Sequence, residues 1–179
     1  PVNTFTNVIY LLVGFYVLGV AWRDWRQQKR YNLISANPWY SFVYGIIQVY
    51  LFVASSYFHA GLTLFGRDLD YSGVFSLSLY PLMYFTHRIV LMVRGLPSNG
   101  KHPKEVLFLT IGFSILYVYL TFFSPPVIGR FIVLGMIVTM FIFAIIIENK
   151  DPGKTNKLYM WLTLASISLA VMFFEFDNQ

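Results

Sequence analysis

Six stretches of the chain are almost wholly apolar, and the polar residues collect between them. They run roughly from Asn3 to Trp22, Trp39 to Ala60, Tyr71 to Val93, Val106 to Phe123, Ile128 to Ile147, and Leu158 to Phe174. Each approaches the roughly 20 residues with which a helix crosses a bilayer. In lipid, only helices and closed barrels satisfy the backbone. The stretches lack the strict alternation of barrel strands, so the pattern predicts helices. The expected fold is an all-α membrane protein, with six transmembrane helices in one domain over residues 1–179. Pro38, Gly95, Pro97, Gly100, Pro103, Pro125, Pro126, Pro152 and Gly153 mark the bends between them. Pro81, inside the third stretch, predicts a kink.

Composition agrees. The chain is 57% hydrophobic and 12% charged, against about a quarter charged in soluble domains. The absence of Cys excludes disulfides and thiolate metal sites. The net charge of +5 invites a nucleic-acid reading, but its placement fits membrane topology instead. Arg23, Arg26, Lys29 and Arg30 lie in the first connection, Arg94, Lys101 and Lys104 in the third, and Lys150, Lys154 and Lys157 in the fifth. The alternate connections carry only Arg67 and Arg130, while Arg88 is placed to snorkel toward the basic side. Basic connections stay in the cytoplasm. The N-terminus is therefore expected outside, and no nucleic-acid partner is implied. Both ends read as cut: the chain opens at Pro1 and stops after Phe176-Asp177-Asn178-Gln179.

Against this background Ser55, His59 and Asp70 stand out, because polar groups at the edge of a hydrocarbon layer are costly and mark functional sites. Ser55 and His59 are four apart and share a helix face, which continues through Phe52 and Gln48 and is expected to face the bundle. Asp70 follows across the Gly61–Leu69 link, and a helical hairpin would bring all three together at the outer edge. Three chemistries fit: His59 as a zinc ligand beside a water held by Ser55 and Asp70, a Ser-His-Asp hydrolase, or a hydrogen-bonded structural knot. The hydrolase triad is disfavoured because one helix carries both Ser55 and His59. Zinc catalysis needs about three protein ligands. His87 and His102 belong to the opposite, basic end, and are read as an interfacial side chain and a loop residue. Glu175 and Asp177 reach the outer side, where each is a carboxylate candidate or simply a solvated helix end. Asn3 or Thr4 is placed to cap the first helix. Thr139, Ser166 and Ser168 are expected to bond between helices, and Trp22, Trp39, Tyr40 and Tyr71 to form an interfacial aromatic belt.

Ser55-Ser56-Tyr57-Phe58-His59, followed by Asp70-Tyr71-Ser72-Gly73, resembles the alkaline ceramidase family. That family belongs to a superfamily of seven-helix membrane hydrolases and receptors that includes the progestin and adiponectin receptor group. The opening Asn3-Thr4-Phe5-Thr6-Asn7 is similar to the family's Glu-x-x-Asn-Thr-x-Ser-Asn, with Thr6 where Ser is usual. The resemblance spans all six stretches and implies a seven-helix bundle with a zinc ion held by three histidines. One matches His59; the other two lie in a His-x-x-x-His motif at the outer start of a seventh helix, just where this sequence ends. Ser55 and Asp70 match the residues around the activated water. The family's Glu falls before Pro1, so the calcium site of eukaryotic members is not represented.

The implied activity is zinc-dependent intramembrane cleavage of the amide of ceramide-like lipids, giving a sphingoid base and a fatty acid, on the non-cytoplasmic side. Asp70 would carry the proton, and Ser55 would position the water or steady the oxyanion. A lipid esterase or phospholipase of the same superfamily would show the same site, and so would a non-catalytic receptor with structural zinc. A transporter is disfavoured, since the paired broken segments of an inverted repeat are missing.

Overall fold

The computed structural model describes residues 7–28, 32–97, 99–123 and 126–150, with 161, 165 and 166. Among these residues the chain is all-helical: α1 (Val8–Gln27), α2 (Leu33–Ala36), α3 (Trp39–Gly61), α4 (Leu64–Val93), α5 (Pro103–Phe123) and α6 (Pro126–Lys150). Four helical segments are long and apolar enough to cross a membrane: α1, α3, Pro103–Phe122 of α5 and Phe131–Lys150 of α6. The sixth stretch, Leu158–Phe174, lies outside the described residues except for 161, 165 and 166.

The five longer helices coincide with the first five apolar stretches, and the main difference concerns α4. It begins at Leu64 rather than Tyr71, because Thr63 caps it: the Thr63 hydroxyl accepts the Gly66 N–H at 3.0 Å. The link from α3 is therefore only Leu62 and Thr63, and Asp70 lies inside α4. Leu62 makes the turn with φ of 47° while its N–H bonds the Phe58 carbonyl at 2.7 Å. The 30 residues of α4 span about 45 Å. Arg67, Asp68, Asp70, His87, Arg88 and several serines make it the most polar of the long helices. It runs through Pro81, which has no N–H to give the Leu77 carbonyl.

α4 is central, packing against α3 on one side and α5 and α6 on the other, while α1 packs on α3. Glycine makes the α1–α3 approach close. A Cβ on Gly45 would come within 2.7 Å of Leu18 Cγ and 3.1 Å of the Gly14 carbonyl, and one on Gly14 within 2.8 Å of Val49 Cγ2. Small facing residues of this kind let membrane helices approach backbone to backbone. Phe75, Leu79 and Phe85 of α4 pack with Leu120 of α5 and Met136, Ile137, Met140 and Ala144 of α6. The opposite faces of α5 and α6 expose Phe108, Ile115, Phe122, Phe131 and Leu134, an apolar surface suited to lipid. Among the described residues, the Thr139 hydroxyl bonds within its own helix, donating to the Gly135 carbonyl at 2.8 Å. A threonine hydroxyl inside a helix finds its nearest acceptor on the preceding turn.

α2 joins α1 to α3 and is too short for a periodic pattern to reveal. A reciprocal cap holds it: Asn32 accepts the Ser35 N–H at 2.9 Å, and Ser35 accepts the Asn32 N–H at 3.0 Å.

Candidate active site at the α3–α4 turn

The two-residue link sets the register of the site. Ser55 lies six residues before the end of α3, and Asp70 six residues after the start of α4. At equal rise per residue the two stand level across the hairpin. The Ser55 hydroxyl and His59 both stand close enough to the Asp70 carboxylate to act on it electrostatically. His59 is one turn nearer the link, on the same face as Ser55. The structure thus brings together all three residues singled out in the sequence. Ser55 is buried; Asp70 and His59 are half-buried. Gln48, two turns below Ser55, is also buried, with Tyr44 close by.

Sequence reasoning missed the tyrosines around this site. Tyr10 of α1 and Tyr50 of α3 both feel the Asp70 charge. Tyr10 shares a face with Gly14 and Ala21, spaced for contact with α3. The Tyr50 and Ser72 hydroxyls hydrogen-bond each other. Ser72 also donates to the Leu69 carbonyl at 2.6 Å, and Tyr117 of α5 lies close to the Tyr50 hydroxyl. Tyr50 therefore stands where three helices meet, directly beneath the Asp70 layer.

The basic end corrects three assignments. His87 is not interfacial but fully buried at 0% exposure. Its Nδ1 and the Tyr40 hydroxyl hydrogen-bond each other, and the two rings stack. Tyr40 is likewise fully buried rather than part of an aromatic belt, and its carbonyl accepts the Tyr80 hydroxyl at 2.8 Å. Arg88 does not snorkel; it is buried and hydrogen-bonded with Tyr84. One cause covers all three: neighbours pack on several sides of α4, so its His87 and Arg88, and the Tyr40 that α3 turns toward it, face protein. Trp22 and Trp39 are exposed. His102 is a loop residue as expected, though buried, donating from Nε2 to the Pro97 carbonyl at 2.9 Å. Asn3, Thr4, Ser168, Glu175 and Asp177 lie outside the described residues.

Among the described residues, no three His, Cys, Asp or Glu side chains stand close enough to hold a metal ion. The turn supplies one imidazole, one carboxylate and one hydroxyl. A catalytic zinc takes about three protein ligands, so the described residues alone do not complete such a site. The His59 ring makes no hydrogen bond among the described residues. The carboxylate–hydroxyl pair beside it can hold a water and carry a proton. Compared with protein-family models, curated proteins and solved structures, the chain matches none.

Proposed function

We propose that this chain is a zinc-dependent intramembrane hydrolase that cleaves the amide bond of ceramide-like lipids. The observation that carries the reading is the convergence of Ser55 and His59 on the Asp70 carboxylate, at one end of a bundle with apolar outer faces. In this reading six helices cross the membrane, with the N-terminus and the site on the non-cytoplasmic side. The charge pattern supports it, with ten Lys and Arg residues in the first, third and fifth connections.

His59 supplies one zinc ligand; the resemblance to alkaline ceramidases puts two more histidines on a further helix. Bound zinc supplies Lewis acidity at the scissile carbonyl and favours deprotonation of water. Asp70 accepts a proton from the attacking water and returns one to the leaving amine. Ser55 holds the Asp70 carboxylate in place and offers its hydroxyl to water or to the developing oxyanion. The apolar helix faces accommodate the acyl and sphingoid chains.

The test uses the full-length protein purified in lipid. Asp70→Asn is expected to lower ceramide hydrolysis by about 10²–10⁴-fold, the range for a general acid–base group, with unchanged thermal unfolding. His59→Ala is expected to lower bound zinc, measured by elemental analysis, before any assay is run. Wild-type turnover in Asp70→Asn would sink the role given to Asp70. Undiminished zinc in His59→Ala would remove the metal from this turn. Hydrolysis of ester lipids with none of ceramide would reassign the enzyme to the lipases of the same superfamily.

A further inference from the structure

A second site lies at the basic end, about 24 Å along α3 from Ser55. A cleft of about 470 Å³ opens between the end of α1, the α2 turn and the start of α5, a size within the roughly 300–1,000 Å³ of small-molecule sites. Asp24, Trp25, Asn37, Trp39, Lys101 and Leu107 contribute to its lining. Asn37 makes the floor rigid. Its Nδ2 donates to the Leu33 carbonyl at 3.0 Å and the Gly100 carbonyl at 3.1 Å, and its Oδ1 accepts the His102 N–H at 3.1 Å. The α2 turn is thereby tied to the loop that carries Lys101.

The walls carry opposite charges and aromatic rings. Trp25 and Trp39 stand at 57° to one another, 6.4 Å between centroids, with Phe42 packed against both. Asp24 is 8% exposed, and its ion pair is a 3.4 Å contact with the exposed guanidinium of Arg23. Lys101 is exposed and forms no ion pair among the described residues. The Lys104 and Glu105 N–H groups stand in the first turn of α5, where a helix has no acceptors of its own.

We propose that this cleft holds the headgroup of a zwitterionic phospholipid. Asp24 and the faces of Trp25 and Trp39 receive its ammonium, by charge and by cation–π attraction. Lys101 receives its phosphate. A purely anionic headgroup would set a second negative charge beside Asp24, whereas a simple cation would leave Lys101 unmatched; a zwitterion answers both. The occupant is a lipid because the mouth borders the exposed apolar face of α5, where Leu107 is 62% and Phe108 78% exposed. The acyl chains leave along that face. The inference requires only that the helices lie in a bilayer and is independent of the chemistry at Asp70.

The test is native mass spectrometry of the full chain, released from micelles carrying phosphatidylethanolamine or phosphatidylglycerol. Wild type is expected to retain one phosphatidylethanolamine in preference to phosphatidylglycerol. Lys101→Gln should lower retention of both lipids about tenfold, as for one charge-assisted contact. Asp24→Asn should lower phosphatidylethanolamine alone by a similar factor and erase the preference. Trp39→Leu, at the exposed rim, should weaken phosphatidylethanolamine more than phosphatidylglycerol and serves as the probe if Asp24→Asn fails to fold. Equal or better retention of phosphatidylglycerol by wild type overturns the proposal, as does retention of phosphatidylethanolamine insensitive to these substitutions. Displacement by free phosphoethanolamine at matching concentration also overturns it, in favour of a soluble phosphate ester.

Discussion

The α3–α4 pair gathers a histidine at each of its ends and treats the two oppositely. At the turn, His59 is half-buried and makes no hydrogen bond among the described residues, while its neighbours Ser55 and Asp70 engage each other. At the basic end, His87 is sealed from solvent, hydrogen-bonded to and stacked on Tyr40, and set edge-on to His102 at 5.9 Å. Burial with an aromatic partner fixes a ring in one orientation, whereas a ligand must keep a lone pair open. A polar residue in an apolar helix therefore signals cost, but its neighbours decide whether that cost supports packing or chemistry.

The comparison is broken most directly by paired substitutions. Asp70→Asn is expected to lower turnover by orders of magnitude at constant stability. His87→Ala is expected to do the reverse. It leaves the buried Tyr40 hydroxyl without its partner and opens a void, so stability should fall by about 2–3 kcal/mol with turnover per folded molecule unchanged. Thermal unfolding and specific activity, measured on the same preparations, separate the two. A large loss of specific activity in His87→Ala would place that histidine in the chemistry and erase the contrast.

These two regions were unequally legible in the sequence. Ser55 and His59 could be paired because a spacing of four fixes a shared helix face whatever surrounds it. Asp70 could be joined to them because a hairpin returns the chain to the same end. The link was read too long, since Arg67 and Asp68 look like loop residues; Thr63 instead caps a helix that carries them on its first turns. His87, Arg88 and Tyr40 were misread for a different reason. Near the end of a transmembrane stretch, a polar residue reads alike whether it faces headgroups or a neighbouring helix. Only knowing that α4 is central resolves that choice. The cleft at the basic end was illegible because the end of α1 with Asp24, the α2 turn with Asn37 and the loop with Lys101 meet only in the folded chain.

A third substitution probes what holds the turn region in register. Gly45→Val puts a branched side chain where a single Cβ already comes within 2.7 Å of Leu18 Cγ and 3.1 Å of the Gly14 backbone oxygen. The leucine can turn aside; the backbone cannot. Overpacking of this kind costs about 1–3 kcal/mol, and α1 should be pushed away from α3. Tyr10 rides on α1 near Asp70, so activity should fall together with stability. That joint loss distinguishes Gly45→Val from both members of the first pair. Unfolding in detergent alongside turnover checks it, and unchanged turnover in a destabilised Gly45→Val would uncouple α1 from the site.

The smallest effect is expected at Thr139, where the contrast between site and scaffold predicts almost nothing. Its hydroxyl already has an acceptor in the Gly135 carbonyl of its own helix, and that carbonyl keeps its helical N–H partner when the hydroxyl is removed. Thr139→Ala deletes a bond without orphaning a buried group. It also replaces a β-branched residue with a better helix former. The two changes offset, so unfolding should shift by no more than about 0.5 kcal/mol, with zinc content and turnover as in wild type. If Thr139 bonded across to a neighbouring helix, as its place in an apolar stretch suggests, the same substitution would cost about 0.6 kcal/mol or more and would lower turnover if that neighbour positions the site. A melt of Thr139→Ala inside the smaller bound, with activity intact, keeps the polar chemistry of the bundle on the α3–α4 seam and off α6.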